Sequence, residues 1–281
     1  MTARVLSGLE FGRNPLRVLA LGGALVSLAF FLLPIAYLLS VSFKRKDDVL
    51  AGNFLPVDPT LDNWPGAFAA TSLTTFIANS VIVSVLAGIL TIAITLPAAY
   101  AMIRMGVFRR FLPQATLASY IAPPVVGLIP FFFLLKTIGL LNTHAGLILV
   151  YGLLNIPVAF WLIGPFLRRV PVEIEEAAAL DGAGRFRTLV SVVAPIIAPG
   201  IAATTIIVVI LSFNEFLLAS GLTLTDGMRT LTVGISLFQG DRLVNFGQMA
   251  AASLAGIVPI YLIAFLMQKH LVEGLAKGGV K

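Results

Sequence analysis

The sequence predicts an all-α polytopic membrane protein with six transmembrane helices, and three observations predict it. Composition is the first. Of 281 residues, 58% are hydrophobic and 11% charged, at a mean hydropathy of +1.00. Soluble domains carry about 25% charged residues, and a water-soluble fold of this length has nowhere to hide so much apolar surface. The second is the arrangement of that excess. Six stretches, 18–43, 63–103, 111–135, 137–167, 188–214 and 243–268, contain no Asp, Glu, Lys or Arg. Each holds the ~20 residues that a helix needs to cross a bilayer core, whereas strands of a membrane barrel would alternate polar and apolar residues. The third is the distribution of basic charge. With the N-terminus inside, 13 of the 19 Lys and Arg residues fall in inner segments, as the positive-inside bias requires. Both termini are therefore expected in the cytoplasm.

These features exclude several classes. Disorder needs low hydrophobicity and high net charge. The chain has no cysteine, which removes a disulfide scaffold, thiol catalysis and Cys-ligated zinc. The net charge of +6 with a pI near 9.9 reads as basic inner loops rather than nucleic-acid binding.

The elements follow in order. The expected spans are 18–43, 74–103, 111–135, 145–167, 196–220 and 246–268. The first is too long for the apolar region of a cleavable signal peptide, and its Pro34 is expected to kink it. A long outer loop with Gly, Pro and Asp follows, carrying the cluster Lys44-Arg45-Lys46 against Asp47 and Asp48. The second span starts near Thr74, and residues 104–110 form a tight inner turn. In the third, Pro123-Pro124 with Gly127 and Pro130 is the densest group of helix breakers, suited to a bent helix, mobile or static. Asn155 lies just before Pro157 in the fourth. An inner loop, 168–195, precedes the fifth span, and an outer loop, 221–245, with a short interfacial or re-entrant helix precedes the sixth. His144 and His270 fall in different segments, which gives no metal site, and His270 beside Lys269 suits interfacial anchoring.

The inner loop 168–195 mixes both signs of charge. Pro171 suits the first turn of a helix, and Glu173, Glu175 and Glu176 suit its positive N-terminal end. Ala177, Ala178, Ala179 and Leu180 continue that helix, and Gly182 and Gly184 break it. A second helical stretch runs from Arg185 to Pro195. One reading is an amphipathic connector resting on the membrane. Its polar side is acidic, however, which disfavours anionic lipid, and its small residues admit close approach by another protein.

Glu176-Ala177-Ala178, three residues, Gly182, nine residues and Val192-Val193-Ala194-Pro195 resemble the EAA loop of ABC importer permeases. Val192 and Ala194 stand where the family pattern has Ile and Leu. Leu141-Asn142-Thr143 with Gly146-Leu147-Ile148, Asn214-Glu215-Phe216, Thr230–Gly234 and the ending Gly274–Lys281 resemble the MalG-type subunit of carbohydrate importers. The resemblance implies the type I ABC importer permease fold in the bacterial inner membrane, with no enzyme activity of its own. It implies a second, homologous permease as heterodimer partner, two ABC ATPase subunits and an extracytoplasmic solute-binding protein. It also implies that Glu176, Ala177, Ala178, Asp181 and Gly182 form the helix that couples ATP hydrolysis to transport. The chain lacks the G-x-x-x-x-G-K-[ST] phosphate loop. No cofactor is expected on it, and ATP and magnesium would sit on the ATPase partners.

Polar residues within spans point to a solute path. They are Asn79, Asn155, Asn214 and Glu215. Glu215 is the one acid in a strongly apolar setting, where burying it unpaired is costly. Asn214 and Glu215 either face the path or make interhelical or outer gate contacts that hold the permease pair together. The expected cargo is a sugar or sugar derivative. Three alternatives stand beside it: a permease for a polyamine, an anion or an amino acid; an intramembrane enzyme, which would cluster His, Asp or Glu within spans; and a secondary transporter, which would show an internal repeat.

Overall fold

In the computed structural model, residues 15–238 and 245–279 are described, with side chains over 18–238 and 245–266. The side chains of Arg4, Arg13, Arg17, Arg242, Lys269, His270, Lys277 and Lys281, and those of the ending Gly274–Lys281, lie outside the described residues. All regular structure among the described residues is helical. The chain divides into two units, residues 1–66 with 245–254, and residues 67–244 with 255–281.

In the first unit, helix α1 (Pro15–Ser42) runs unbroken through Pro34. Its apolar segment, Val18–Ser42, is long enough to span a bilayer. Leu19, Val26, Phe30 and Phe31 are all exposed among the described residues. At its C-terminal end a small loop packs tightly. The Asn63 amide donates to the carbonyls of Ser42 and Lys44, at 3.0 and 2.8 Å. Lys44 is buried, its ammonium bonded to the Asn53 carbonyl and set over the Tyr37 ring. Two short helices, α2 (Lys46–Leu50) and α3 (Asn63–Ala70), lie in the stretch between the first two long helices.

In the second unit, helix α4 (Leu73–Met105) is central. It continues through Pro97 and packs against three later helices, α7 (His144–Leu154), α8 (Ile156–Arg169) and α12 (Ala198–Phe213). Its buried face reads Ser80, Ser84, Ala87, Gly88, Thr91, Thr95, a seam of small residues at helical spacing that lets backbones approach closely. A Cβ on Gly88 would stand 2.9 Å from a Val209 methyl. The Thr91 hydroxyl reaches the Gly152 carbonyl at 2.9 Å.

Three of the six expected spans are broken. Helices α5 (Phe111–Ile121) and α6 (Pro124–Thr137) meet at 99°, where Pro123 and Pro124 cannot continue an α-helical ladder. Helices α7 and α8 meet at 50° around Asn155. The segment Arg185–Ile196, made of helix α10 (Arg185–Thr188), a π turn over Leu189–Val193 and helix α11 (Ala194–Ile196), meets α12 at 84°. Among the described residues three single helices are long and apolar enough to cross a membrane, and six spans result if each bent pair counts as one. The expected fifth span, 196–220, is interrupted. Helix α12 stops at Phe213, and helix α13 (Leu217–Leu222) begins after a gap that contains Asn214 and Glu215. The 221–245 loop holds helix α14 (Leu231–Ser236), and its residues 239–244 lie outside the described residues. The last helix, α15, is Phe246–Gly279.

Candidate functional site

The helix breaks open a cavity of about 250 Å³ within the second unit. Its polar lining comes from Ser119, Tyr120, Tyr151, Asn155, Ser212 and Glu215, and leucines 154, 211 and 218 supply apolar wall. Each polar group is there for a local reason. Tyr151 sits in the last turn of α7, and Asn155 ends that helix. The Asn155 amide donates to the Tyr151 carbonyl at 2.9 Å and to the Ser212 hydroxyl at 3.2 Å on α12. Glu215 lies where α12 has ended and α13 has not begun. The unpaired amides at the start of α13 need acceptors, and Glu215 supplies them. Its carboxylate accepts from the Leu218 and Ala219 amides, at 2.9 and 3.1 Å, and from the Tyr151 hydroxyl at 2.7 Å. Its backbone carbonyl accepts from the Thr232 hydroxyl at 2.8 Å.

The four polar residues singled out from sequence therefore separate. Asn155 and Glu215 share the cavity. Asn214 does not line it; it is exposed, and its amide returns to the Ile210 carbonyl at 2.8 Å. Asn79 is buried and also outside the lining. Its amide donates to the carbonyls of Gly227 and Arg229, both at 2.9 Å, and the next residue, Ser80, accepts the Leu231 amide at 2.7 Å. Asn79 and Ser80 thus pin the loop before α14 to α4. Tyr151, Tyr120 and Ser212 were not foreseen. Tyr151 had one usable signal, its place one helical turn before Asn155 on the same face.

The loop after α8 carries the second feature. Helix α9 (Val172–Leu180) ends at Asp181, and Gly182 adopts φ +80°. The Gly182 amide donates to the Ala179 carbonyl at 3.0 Å and the Ala183 amide to the Ala178 carbonyl at 2.9 Å. That pair of bonds is a Schellman closure, in which the residue after the cap must be left-handed. The spacing Glu-Ala-Ala-x3-Gly is thereby explained, since the glycine is the helix stop. Glu176, Ala177, Asp181 and Gly182 are exposed, and Ala178 is half-buried. Leu180 is 90% exposed and Phe186 76% exposed, which makes a mixed acidic and apolar surface around the turn.

Glu175 behaves differently. Its side chain is 10% exposed and pairs with the Arg104 guanidinium at 2.7 Å. The Tyr100 hydroxyl donates to its other oxygen at 2.8 Å. The sequence reading placed Glu175 only among the acids of the first turn. Nothing in the loop itself distinguishes it from Glu173 or Glu176, because its partner lies 71 residues earlier.

Residues 91–277 match the family model described as "Binding-protein-dependent transport system inner membrane component". The chain belongs to this family. The permease is 34% identical to the sulfoquinovosyl glycerol transport system permease SmoH of Agrobacterium fabrum over 96% of this chain and 95% of that one. It is 30% identical to the trehalose/maltose transport system permease MalG of Thermococcus litoralis, over 94% and 97% of the two chains. Its fold matches a bacterial ABC transporter structure involved in import of the acidic polysaccharide alginate, with a TM-score of 0.75 over 90% of this chain and 96% of that one, at 23% identity. The permease is thus a multi-pass inner-membrane transport subunit with the type I ABC importer fold.

Proposed function

We propose that this permease forms one half of the translocation pathway for a sugar or sugar derivative, in an ATP-driven importer fed by an extracytoplasmic binding protein. The observation that carries this reading is the likeness, over nearly the whole chain, to permeases named for glycosides and disaccharides. The cavity supports it chemically. Hydroxyl and amide groups of Tyr120, Tyr151, Asn155 and Ser212 are mixed there with aromatic and aliphatic wall, the combination that recognises a hydroxyl-rich ring with apolar faces. At about 250 Å³, it falls below the ~300–1,000 Å³ typical of complete small-molecule sites. A second, homologous permease would supply the facing wall, and the two would act as a heterodimer.

ATP and magnesium belong to two ATPase partners, which dock on the exposed turn formed by Glu176, Ala177, Ala178, Asp181 and Gly182 together with Leu180 and Phe186. That places this loop and both termini in the cytoplasm. Uptake of a panel of labelled sugars by the reconstituted complex tests the proposal. Saturable uptake of one sugar class is expected, and uptake confined to a polyamine, an anion or an amino acid would overturn it.

A further inference from the structure

Helix α9 is weakly held by packing. None of its residues is buried, and it contributes to neither hydrophobic cluster of the second unit. Its neighbours besides α8 are helix α10 (Arg185–Thr188) and the π turn that follow it. One side chain anchors it elsewhere. Glu175 turns inward while Glu173 and Glu176 stay exposed, and Arg104 and Tyr100 of α4 engage both of its carboxylate oxygens. The same guanidinium donates through Nη2 to the carbonyls of Leu167 and Val170, at 3.1 and 2.5 Å. Those carbonyls end α8, and the Leu167 carbonyl also accepts the Val170 amide at 3.3 Å, so the guanidinium reinforces the last turn of the helix. One cation therefore joins the last turn of α4, the end of α8 and the first turn of α9.

A largely buried ion pair is poor evidence of stability, because apolar side chains of equal volume commonly do as well or better. What a planar guanidinium adds is direction, since its donors are fixed in a fork. The far end of α8 leads to the cavity, where Val158, and Asn155 just ahead of the helix, stand in the lining. At 1.5 Å per residue, the 14-residue α8 places the joint and the cavity about 20 Å apart along one continuous helix.

We propose that Arg104, Glu175 and Tyr100 are positioning residues for coupling. They make α9 move as one body with α4 and α8, so that a displacement of the exposed turn reaches the cavity wall. This rests on the reading of α9 as the ATPase-docking helix. In the reconstituted complex, Glu175→Ala is expected to retain its ATPase subunits and its hydrolysis while uptake falls by about tenfold, within the range of measured coupling factors. ATP consumed per solute rises accordingly. Glu175→Gln keeps acceptor oxygen and the size of the side chain, and is expected to recover most of the uptake.

An unchanged ratio of ATP to solute in Glu175→Ala would overturn the proposal. So would a fall of uptake and hydrolysis together in proportion to lost complex, which is what a merely structural role gives. A second measurement does not depend on docking. The chain has no cysteine, so spin labels at Ala179→Cys and Val107→Cys report the distance from α9 to the end of α4. A single narrow distribution is expected with and without ATP, broadened by Glu175→Ala; a distribution indifferent to that change would sink the joint. Normal uptake in Glu176→Lys with its ATPase subunits still bound would instead count against the docking surface.

Discussion

At Glu215 one residue joins four helices: its carboxylate takes the Tyr151 hydroxyl of α7 and two amides of α13, it follows the end of α12, and its carbonyl takes Thr232 of α14. The residue that looked costly to bury is therefore satisfied, and its job is assembly of the cavity wall. Glu215→Ala leaves a fully buried tyrosine hydroxyl and two helix-start amides without an acceptor. Each buried group so stranded costs about 1–3 kcal/mol. The expected outcome is a lower melting temperature of the purified complex and loss of most uptake. Glu215→Gln, which still accepts hydrogen bonds, loses less of both. Uptake and melting temperature at wild-type levels in Glu215→Ala would remove the residue from the site. Asn214→Ala makes the contrast, because its amide only returns to its own helix. It is expected to transport normally, and a strong defect there would restore it to the path.

The elements show what a single sequence carries and what it leaves implicit. Local chemistry was legible. The break at Pro123-Pro124, the start of α4 near Thr74 and the stop at Gly182 follow from residues within a turn or two of the event. Glu175 and Tyr151 were not legible, because their meaning depends on partners 71 and 64 residues distant. The three-residue interruption of the fifth span was not legible either. Uncharged composition alone extends to Asn214, and it does not reveal that backbone at Asn214–Phe216 leaves the helix to be capped by a side chain. Two predictions belong at this scale. Gly182→Ala puts a side chain where φ is +80°, a conformation costing about 1–2 kcal/mol for an L-residue. It is expected to fray the end of α9 and raise ATP consumed per solute, with Gly182→Asn milder because asparagine tolerates that region. An unchanged ratio in Gly182→Ala would show that the turn's shape does not matter to coupling. Gly88→Leu drives a bulky side chain into Val209 across the α4–α12 seam. It is expected to destabilise the permease by the ~1–3 kcal/mol usual for overpacking and so lower the yield of folded protein in detergent, as read by size-exclusion chromatography, and a normal yield would refute close packing there.

For the whole molecule the decisive question is which side faces the cytoplasm, and charge argues it. The basic residues expected outside are an apparent exception to the positive-inside bias, and the structure gives three of them partners. Lys44 is buried against the Asn53 carbonyl and the Tyr37 ring, Arg45 pairs with Asp58 at 3.1 Å, and Arg229 pairs with Asp226. These partners hold the three side chains locally without removing them from the count, so the orientation rests on the 13 basic residues of the inner segments against the 6 of the outer ones. The acids of the α9 loop do not reverse the inference, since acidic residues contribute little to orientation. The cysteine-free chain allows a direct test in sealed, right-side-out vesicles. A cysteine at Thr225, in the loop pinned by Asn79 and Asn142, is expected to react with a membrane-impermeant maleimide at once. A cysteine at Ala179 is expected to react only after the vesicles are opened. The reverse pattern would invert the topology and, with it, the assignment of the α9 turn to the ATPase subunits. Equal labelling of both sites in sealed vesicles would contradict a membrane-separated arrangement of the two loops altogether.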